Sequence, residues 1–219
     1  MIDLIIICSI TIQECFDTHL KVTLEKIGVP YKLILTDPIL PISESYNSIL
    51  QTNLDDVKKS KYLIFMAQDI TINGQDWGRN IISICDSLPD FGYGGVECRL
   101  DKQHIGYFTH GKTNEPAIEV TTCDEAFNII PSKLFLEHQF DTQFKWYPFM
   151  TDYQCWIRFI KNLKVYHVPV EGYWCGGCGA SRWVSQFKTN REYAAKLAED
   201  HARLLNKWGL AVLRTTTWG

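Results

Sequence analysis

The sequence lacks an excess of positive charge and a long hydrophobic run. Its 22 Lys and Arg residues are outnumbered by 25 Asp and Glu residues, which gives a formal net charge of −3. Because nucleic-acid binders normally carry a basic surface, this balance argues against a nucleic-acid partner. No apolar run approaches the length of a transmembrane segment. The apolar start, MIDLIIICSI, contains Asp3 and no basic residue, which is typical of a buried first strand and not of a signal peptide.

Internal repeats, low-complexity segments and linkers are also absent. The 219 residues are 46% hydrophobic and 21% charged, which is an ordinary globular composition with enough apolar side chains for a sizeable core. We therefore expect a single domain over residues 1–219, divided into parts at 1–100, 101–188 and 189–219.

The eight cysteines have irregular spacing, and no export signal accompanies them. We expect reduced thiols in a cytoplasmic protein. One pair, Cys175 and Cys178 in the sequence CGGC, has the spacing of a redox motif or of half a zinc site. No second pair has the spacing that a four-ligand zinc site needs. A flexible glycine-rich loop that closes over a ligand is the favoured interpretation, and the metal or redox alternative stays open.

Strand and helix patterns alternate over the first hundred residues. Continuous apolar runs predict strands, and apolar residues at helical spacing predict the helices between them. The predicted strands are 2–8, 31–37, 62–66 and 91–100, and the predicted helices are 11–27, 43–61 and 77–88. Asp76 is the expected cap of the third helix. Connections of this kind are right-handed and give a mainly parallel sheet with helices on both faces. Because ligands bind beyond the carboxyl ends of such strands, Ser9, Asp37 and Asp69 are expected around one crevice.

The second half of the sequence has shorter and more varied segments. Strands are predicted at 105–109, 117–122 and 163–170, and a strand that starts at residue 123 leads into a short helix after Pro131. A helix is predicted over 151–162 with Thr151 as its N-cap. A long amphipathic helix is predicted from Thr189 to Trp208 and ends at Gly209.

Two aspartates are candidates for chemistry. Asp69 follows the buried strand 62–66, where it either caps the next turn or holds a divalent cation, since Mg²⁺ prefers oxygen ligands. Asp152 lies in the first turn of a predicted helix, where it either stabilises the helix dipole or acts as a general base. The apolar and aromatic residues around Asp152 favour the second role because desolvation raises the pKa of a carboxyl group.

Four segments together resemble the family 2 glycosyltransferases with the GT-A fold, in particular rhamnosyltransferase-like members. SYNSIL followed by KYLIFMAQDITINGQDW resembles the segment that carries a variant of the family's DxD metal motif. The block CDEAFNIIPSKLFLEHQFDTQFKWYPFMTDYQCWIR resembles its acceptor-side region, with a small strand and FDxxF before an "ED" helix. LKVYHVPV and LLNKWG resemble the strand after that helix and a late KW pair.

The resemblance implies a GT-A-like α/β fold with a Rossmann-type, mainly parallel sheet flanked by helices, a mixed acceptor-side half and a long C-terminal helix. It makes residues 1–100 the nucleotide-binding half, 101–188 the acceptor-side half and 189–219 the C-terminal helix and tail. It also implies Mn²⁺ or Mg²⁺ at Asp69 and a general base at Asp152. The remaining implied donor-site residues are Ser9, Asp37, Asn47 and Gln68, and the implied acceptor or donor-sugar residues are Asp124, Trp146 and Tyr147.

The sequence departs from the family pattern at three places. Ala67 and Gln68 stand where the fuller metal motif has its first carboxylate. Thr151 stands where the "ED" pair has its glutamate, and Gln154 stands at the acidic position that follows this pair. The segment VEGYWCGGCGASRW has no histidine, although many relatives place a metal-binding histidine there.

The expected activity is inverting transfer of a sugar from a UDP- or dTDP-sugar to a hydroxyl of a glycan or lipid-linked acceptor, as in polysaccharide biosynthesis. A non-catalytic nucleotide- or glycan-binding protein on the same scaffold is the alternative. A nucleotidyltransferase is ranked lower because no glycine- and basic-rich triphosphate loop follows the first strand. The expected location is cytoplasmic, with peripheral attachment to a membrane left open, and the oligomeric state is not predicted.

Overall fold

A computed structural model of the protein describes residues 2–9, 12–36, 41–96, 98–100, 103–105, 116–123, 126–145, 148–174 and 190–209. Four of the predicted site residues lie outside these ranges: Asp37, Asp124, Trp146 and Tyr147. The CGGC pair and most of the glycine-rich segment also lie outside them.

The centre of the fold is a sheet to which both halves of the sequence contribute. In the described part of the chain its seven strands are β1 (Leu4–Ser9), β2 (Tyr31–Thr36), β3 (Tyr62–Met66), β5 (Phe91–Gly95), β8 (Ile118–Val120), β10 (Phe127–Pro131) and β11 (Lys164–His167). The strand order is β2-β1-β3-β10-β5-β11-β8. The strands β2, β1, β3, β5 and β11 run in one direction, and β10 and β8 run against their neighbours.

Two smaller sheets lie beside the central one. β4 (Ile70–Ile72) pairs with β12 (Gly172–Trp174), and β6 (Cys98–Leu100) pairs with β7 (Gln103–Ile105) and β9 (Thr122–Cys123). β4 begins directly after Asp69, so its pairing with β12 brings residues 172–174 close to Asp69.

Helices cover both faces of the sheet. The α-helices are α1 (Gln13–Cys15), α2 (Lys21–Leu24), α3 (Ile42–Thr52), α4 (Leu54–Lys59), α5 (Trp77–Ser87), α6 (Ser132–Glu137), α7 (Pro148–Cys155) and α8 (Asn190–Trp208). A π-helical turn, π1 (Phe16–Leu20), joins α1 to α2, and a second, π2 (Trp156–Ile160), continues α7. α3, α6, α7 and α8 contribute to one hydrophobic core, and α2 and α5 contribute to the other.

The alternation of side chains along β1 explains the two cores. Ile5 and Ile7 enter the core on the α3 and α7 side, whereas Leu4, Ile6 and Cys8 enter the core on the α2 and α5 side. All five side chains are fully buried. A continuous apolar run is required for a strand that is covered on both faces. The mainly parallel sheet, the flanking helices and the long C-terminal helix confirm the predicted α/β fold class.

Three local predictions are corrected by the structure. Thr151 lies inside α7 and not at its N-cap, because the helix begins at Pro148, and proline is well suited to a first helical turn. The predicted strand 91–100 is two strands, β5 and β6, which belong to different sheets. Asp76 does precede α5, but it has a left-handed backbone conformation (φ 53°) and its side chain makes no capping hydrogen bond.

The cysteines are partly as expected. Cys8, Cys85, Cys123 and Cys155 are free and buried. Cys15 is disulfide-bonded, which contradicts the expectation of reduced thiols throughout. Its partner is not among the side chains that the structure describes. A disulfide depends on which cysteines the tertiary fold brings together, and the spacing of cysteines in the sequence does not show this. Among the described helices, none has the length and apolarity that crossing a bilayer requires.

Candidate functional site

Ser9, Gln68 and Asp69 are brought together at one edge of the central sheet. β1 and β3 are parallel neighbours, with Ile7 opposite Phe65, so their carboxyl ends lie side by side. Ser9 is the last residue of β1, and Asp69 follows the end of β3 by three residues. The backbone N–H of Ala67 donates to the carbonyl of Ala126 at 2.8 Å, which fixes the chain between β3 and Asp69. Ser9 and Asp69 therefore follow neighbouring strand ends, as the alternating pattern predicts, and Asp37 is outside the described range.

Gln68 joins the two strand ends. Its side chain is only 3% exposed, and its Oε1 accepts a hydrogen bond from the backbone N–H of Ile12 at 3.2 Å. Ile12 directly precedes α1, so this bond ties the segment after β3 to the beginning of the helix that follows β1.

Asp69 is 3% exposed, which is unusual for a carboxylate. Burial is the larger cause that raises the pKa of the Cys8 thiol, and the negative charge of Asp69 adds to it. The carboxylate is therefore close to the end of β1. Ser9 shares this place, and its Oγ is buried without a hydrogen-bond partner among the described atoms. Because buried hydroxyls are normally paired, the unpartnered Oγ is a candidate for a hydrogen bond to a ligand.

The strand after Asp69 is held from two sides. The Oγ1 of Thr23 donates to the carbonyl of Ile70 at 3.2 Å and accepts from the N–H of Ile72 at 2.9 Å. The Nδ1 of His19 lies 2.8 Å from the Oγ1 of Thr71. Trp174, the last described residue before the glycine-rich segment, is the register partner of Ile70. The residue that precedes the glycine-rich segment is therefore paired with the residue that follows Asp69.

The described residues fit a divalent cation only in part. No group of three His, Cys, Asp or Glu side chains that could hold a metal occurs in the part of the chain that the structure describes. Mg²⁺, however, is commonly bound by one or two carboxylates together with substrate phosphates, so a single carboxylate is sufficient when a diphosphate supplies the other oxygens. Asp69 would hold such an ion.

Asn47 lies in α3, where its amide binds the backbone of another segment. Its Nδ2 donates to the carbonyl of Phe140 at 2.7 Å, and its Oδ1 accepts from the N–H of the same residue at 3.1 Å. One turn earlier, the Oγ of Ser43 donates to the carbonyl of Phe144 at 2.7 Å. These bonds hold residues 140–144 along α3, so both described hydrogen bonds of the Asn47 amide go to that segment.

Asp152 lies in α7 with its carboxylate under the last turn of α8. It is 1% exposed. Trp208 donates from Nε1 to Oδ1 at 2.7 Å, and the Nζ of Lys207 lies 2.9 Å from Oδ1 and 3.1 Å from Oδ2. Burial raises the pKa of Asp152 above its ordinary value, although both donors act in the opposite direction. The apolar surroundings therefore have the effect that the sequence predicts.

Lys207 is shared between two carboxylates. Its Nζ also donates to the Oδ2 of Asp141 at 2.8 Å. Partial burial lowers the pKa of Lys207, but its hydrogen bonds to Asp141 and Asp152 raise it more, so the net pKa is above the ordinary value. Lys207 therefore stays protonated and forms ion pairs with both aspartates.

Gln154, which departs from the family pattern, has a structural role that the sequence does not predict. It is 1% exposed, and its Oε1 accepts from the N–H of Cys123 at 2.7 Å and from the Oγ1 of Thr122 at 3.0 Å. Its Nε2 donates to the carbonyl of Cys123 at 3.0 Å. The amide therefore holds β9 directly before Asp124. The available signal was a neutral amide two residues after Asp152, at a position where the family pattern is acidic.

A separate pocket of about 320 Å³ lies between α5 and the segment after β11. Trp77, Ile81 and Val170 form part of its apolar wall, and Asn80 and Glu171 supply polar groups. Of the predicted site residues that the structure describes, none lines it.

No family model and no curated protein matches the sequence. Solved structures with a similar chain trace include A197 from STIV (13% identity, TM-score 0.49, covering 80% of this chain and 85% of that one). They also include a glycosyltransferase involved in the glycosylation of the major capsid of PBCV-1 (9% identity, TM-score 0.49, covering 84% and 98%). A third is a chain assigned as a glucose-1-phosphate thymidylyltransferase from Bacillus anthracis, in complex with a sucrose (14% identity, TM-score 0.39, covering 83% and 74%). At these scores the likenesses do not identify a shared function.

Proposed function

We propose that the protein is an inverting glycosyltransferase that moves a sugar from a UDP- or dTDP-sugar to a hydroxyl of a glycan or lipid-linked acceptor. The observation that carries the proposal is the pairing of a buried carboxylate, Asp69, with an unpartnered buried hydroxyl, Ser9 Oγ, at the adjoining carboxyl ends of β1 and β3. Ligands bind at this edge in open α/β sheets. The family resemblance, which gives both residues donor-site roles, supports the same conclusion.

In the proposed donor site, Ser9 Oγ hydrogen-bonds the nucleotide base, and Asp37 accepts from its imide. Gln68 holds the two strand ends at a fixed separation, as its bond to Ile12 indicates. Asp69 would hold the Mn²⁺ or Mg²⁺ ion. When bound, such a cation stabilises negative charge on the departing diphosphate.

In the proposed transfer step, the acceptor oxygen bonds to the anomeric carbon as the bond from that carbon to the diphosphate breaks. The hydroxyl proton goes to the carboxylate of Asp152, and the nucleoside diphosphate leaves. The raised pKa of Asp152 suits a general base because it brings the carboxyl closer to working pH. Asp124, Trp146 and Tyr147 are proposed to contact the sugars.

The burial of Asp152 favours a second candidate, a nucleotide- or glycan-binding protein without transferase activity. Both carboxylate oxygens are engaged by α8 and the side chain is 1% exposed, so no acceptor reaches it in this arrangement. The two candidates differ in turnover. Titration calorimetry with UDP and Mn²⁺ measures binding, and release of free sugar from a panel of UDP- and dTDP-sugars measures catalysis. Binding without release in any member of the panel, and without transfer to any acceptor, would leave only the second candidate.

A further inference from the structure

The last turn of α8 covers the Asp152 carboxylate, which is 1% exposed in the described structure. Lys207 and Trp208 supply all three of the close polar contacts to its oxygens, at 2.7 to 3.1 Å. A proton acceptor must lie within hydrogen-bond reach of the hydroxyl that it deprotonates. The carboxylate therefore cannot act on an alcohol or on water while these two side chains stay in place.

The contact is held by groups around it as well as by Asp152. Lys207 bridges to Asp141, and its Nζ lies 5.5 Å from the ring centroid of Phe144. The ring of Trp208 lies 5.9 Å from that of Phe159. The other described charged or titratable groups that interact electrostatically with this site include Asp141, the half-buried His138 and the buried thiol of Cys155. Most of these contacts are to solvent-facing groups, which stabilise weakly.

The body of α8 has a separate attachment. Leu204 is buried in the core, and the Oδ2 of Asp200 accepts from the backbone N–H of Lys145 at 3.0 Å. Trp208 is the last residue of the helix, and Gly209 follows it with a φ of 69°. The final carbonyls of a helix have no partner within it, and terminal turns open at low free-energy cost. The last turn can therefore unwind while Asp200 and Leu204 keep the rest of the helix docked.

We propose that Lys207 and Trp208 form a clasp that shuts off Asp152, and that this clasp must open before a hydroxyl reaches the carboxylate. The identity of the reacting hydroxyl rests on the proposed glycosyltransferase function, whereas the opening itself does not. The donor site at Ser9 and Asp69 shares no described hydrogen bond with the clasp. Donor binding is thus expected to proceed with the clasp shut.

Carboxyl labelling with a water-soluble carbodiimide and an amine, read out by mass spectrometry, tests the opening directly. The full-length protein is compared with Trp208→Phe, which keeps an aromatic ring but loses the Nε1 donor. Because a hydrogen bond to a charged group contributes enough to shift an equilibrium about tenfold, Asp152 should be labelled about ten times faster in this variant. Exposed Asp55 is the reference for full reactivity, and buried Asp200 reports on the body of α8.

The matched control is Arg203→Met, which removes a cation from the same helix without touching Asp152. The Nη1 of Arg203 contacts Asp200 and the carbonyl of Gln143. Labelling of Asp152 should be unchanged in this control. If Trp208→Phe fails to fold, raising the ionic strength in the wild-type protein provides a second test, because salt screens the Lys207 contacts. Faster labelling of Asp152, with Asp200 still protected, is the expected result.

The effect of clasp opening on catalysis is tested by hydrolysis of UDP-glucose and the other donors, with water as the acceptor. A clasp predicts faster hydrolysis in Trp208→Phe. Where the wild type hydrolyses a donor, slower or unchanged hydrolysis in the variant would overturn the proposal, since Lys207 and Trp208 would then position Asp152 or lie apart from the reaction; no hydrolysis in either protein would refute the proposed function and leave the clasp to the labelling result. Unchanged labelling, or simultaneous labelling of Asp152 and Asp200, would also overturn it. Failure of UDP to bind would refute the proposed function separately, and labelling would still decide whether the clasp opens.

Discussion

Replacing Gln154 by glutamate should make the stability of the protein strongly dependent on pH. The wild-type amide both accepts from and donates to the backbone of Cys123, at 2.7 and 3.0 Å, in a place that is 1% exposed. A carboxylate retains the acceptor but loses the donor, so its charge faces the carbonyl of Cys123 without compensation. An unpaired buried group and a buried charge together cost about 2–4 kcal/mol at neutral pH.

The direction of the pH effect follows from the same contacts. Burial next to a carbonyl raises the folded-state pKa of the new carboxyl above the unfolded value of about 4.3. A protonated glutamate can donate to Cys123 as the amide does. The folded state therefore binds the proton more tightly, and stability is lost as pH rises above about 4.3.

Urea unfolding followed by circular dichroism at about pH 4.5 and about pH 8 measures this effect. In a domain of this size, a loss of about 2–4 kcal/mol corresponds to a fall in Tm of roughly 5–15 °C at the higher pH. Gln139→Glu, at an exposed position, is the matched control and should show little change. Equal stability of Gln154→Glu and wild type at the higher pH would refute the assignment of these hydrogen bonds.

Two other substitutions follow from the same reasoning. Asn47→Ala should lower the free energy of unfolding by about 1–3 kcal/mol because it removes the hydrogen bonds to the N–H and carbonyl of buried Phe140. Urea unfolding measures this loss, and Asn80→Ala, at an exposed helical position, is the control. Equal losses in the two variants would contradict the prediction. His138 stacks on Trp156 with ring centroids 4.5 Å apart, and burial lowers its pKa below 6.5. Its contribution to stability is therefore full above pH 6.5 and declines as pH falls through the lowered pKa. His138→Phe should reduce the acid-induced fall of Tm between about pH 7 and pH 5, and an undiminished fall would show that other groups cause it.

The sheet could be predicted because its strands depend on local sequence. The apolar runs in β1 and β3 and the helical spacing that ends at Trp208 are explained by burial, and each is visible within a short window. The strand 91–100 was predicted as one because nothing local shows where it ends. Gly95 marks the place in the structure, since a Cβ there would lie 2.4 Å from the Cβ of Cys123, a residue far along the chain.

The candidate site was predicted where it depends on strand ends and missed where it depends on distant partners. Ser9 and Asp69 follow from the rule that parallel strands end at one edge. The donors that cover Asp152 come from Lys207 and Trp208, 55 and 56 residues away. Neither the helical pattern of α8 nor the late KW resemblance shows that its last turn reaches α7. The roles of Ser9, Asn47, Gln68, Asp69 and Asp152 stay predictions. Asp37, Asp124, Trp146 and Tyr147 also stay predictions.

Binding of UDP in the presence and absence of Mn²⁺ tests the central proposal most directly. Titration calorimetry compares wild type with Asp69→Asn, and Asp17→Asn, an exposed aspartate on the helix that follows β1, is the control. The account predicts Mn²⁺-dependent binding of UDP in wild type and Asp17→Asn, and loss of that dependence in Asp69→Asn. UDP binding of equal strength in all three proteins, with or without Mn²⁺, would contradict it.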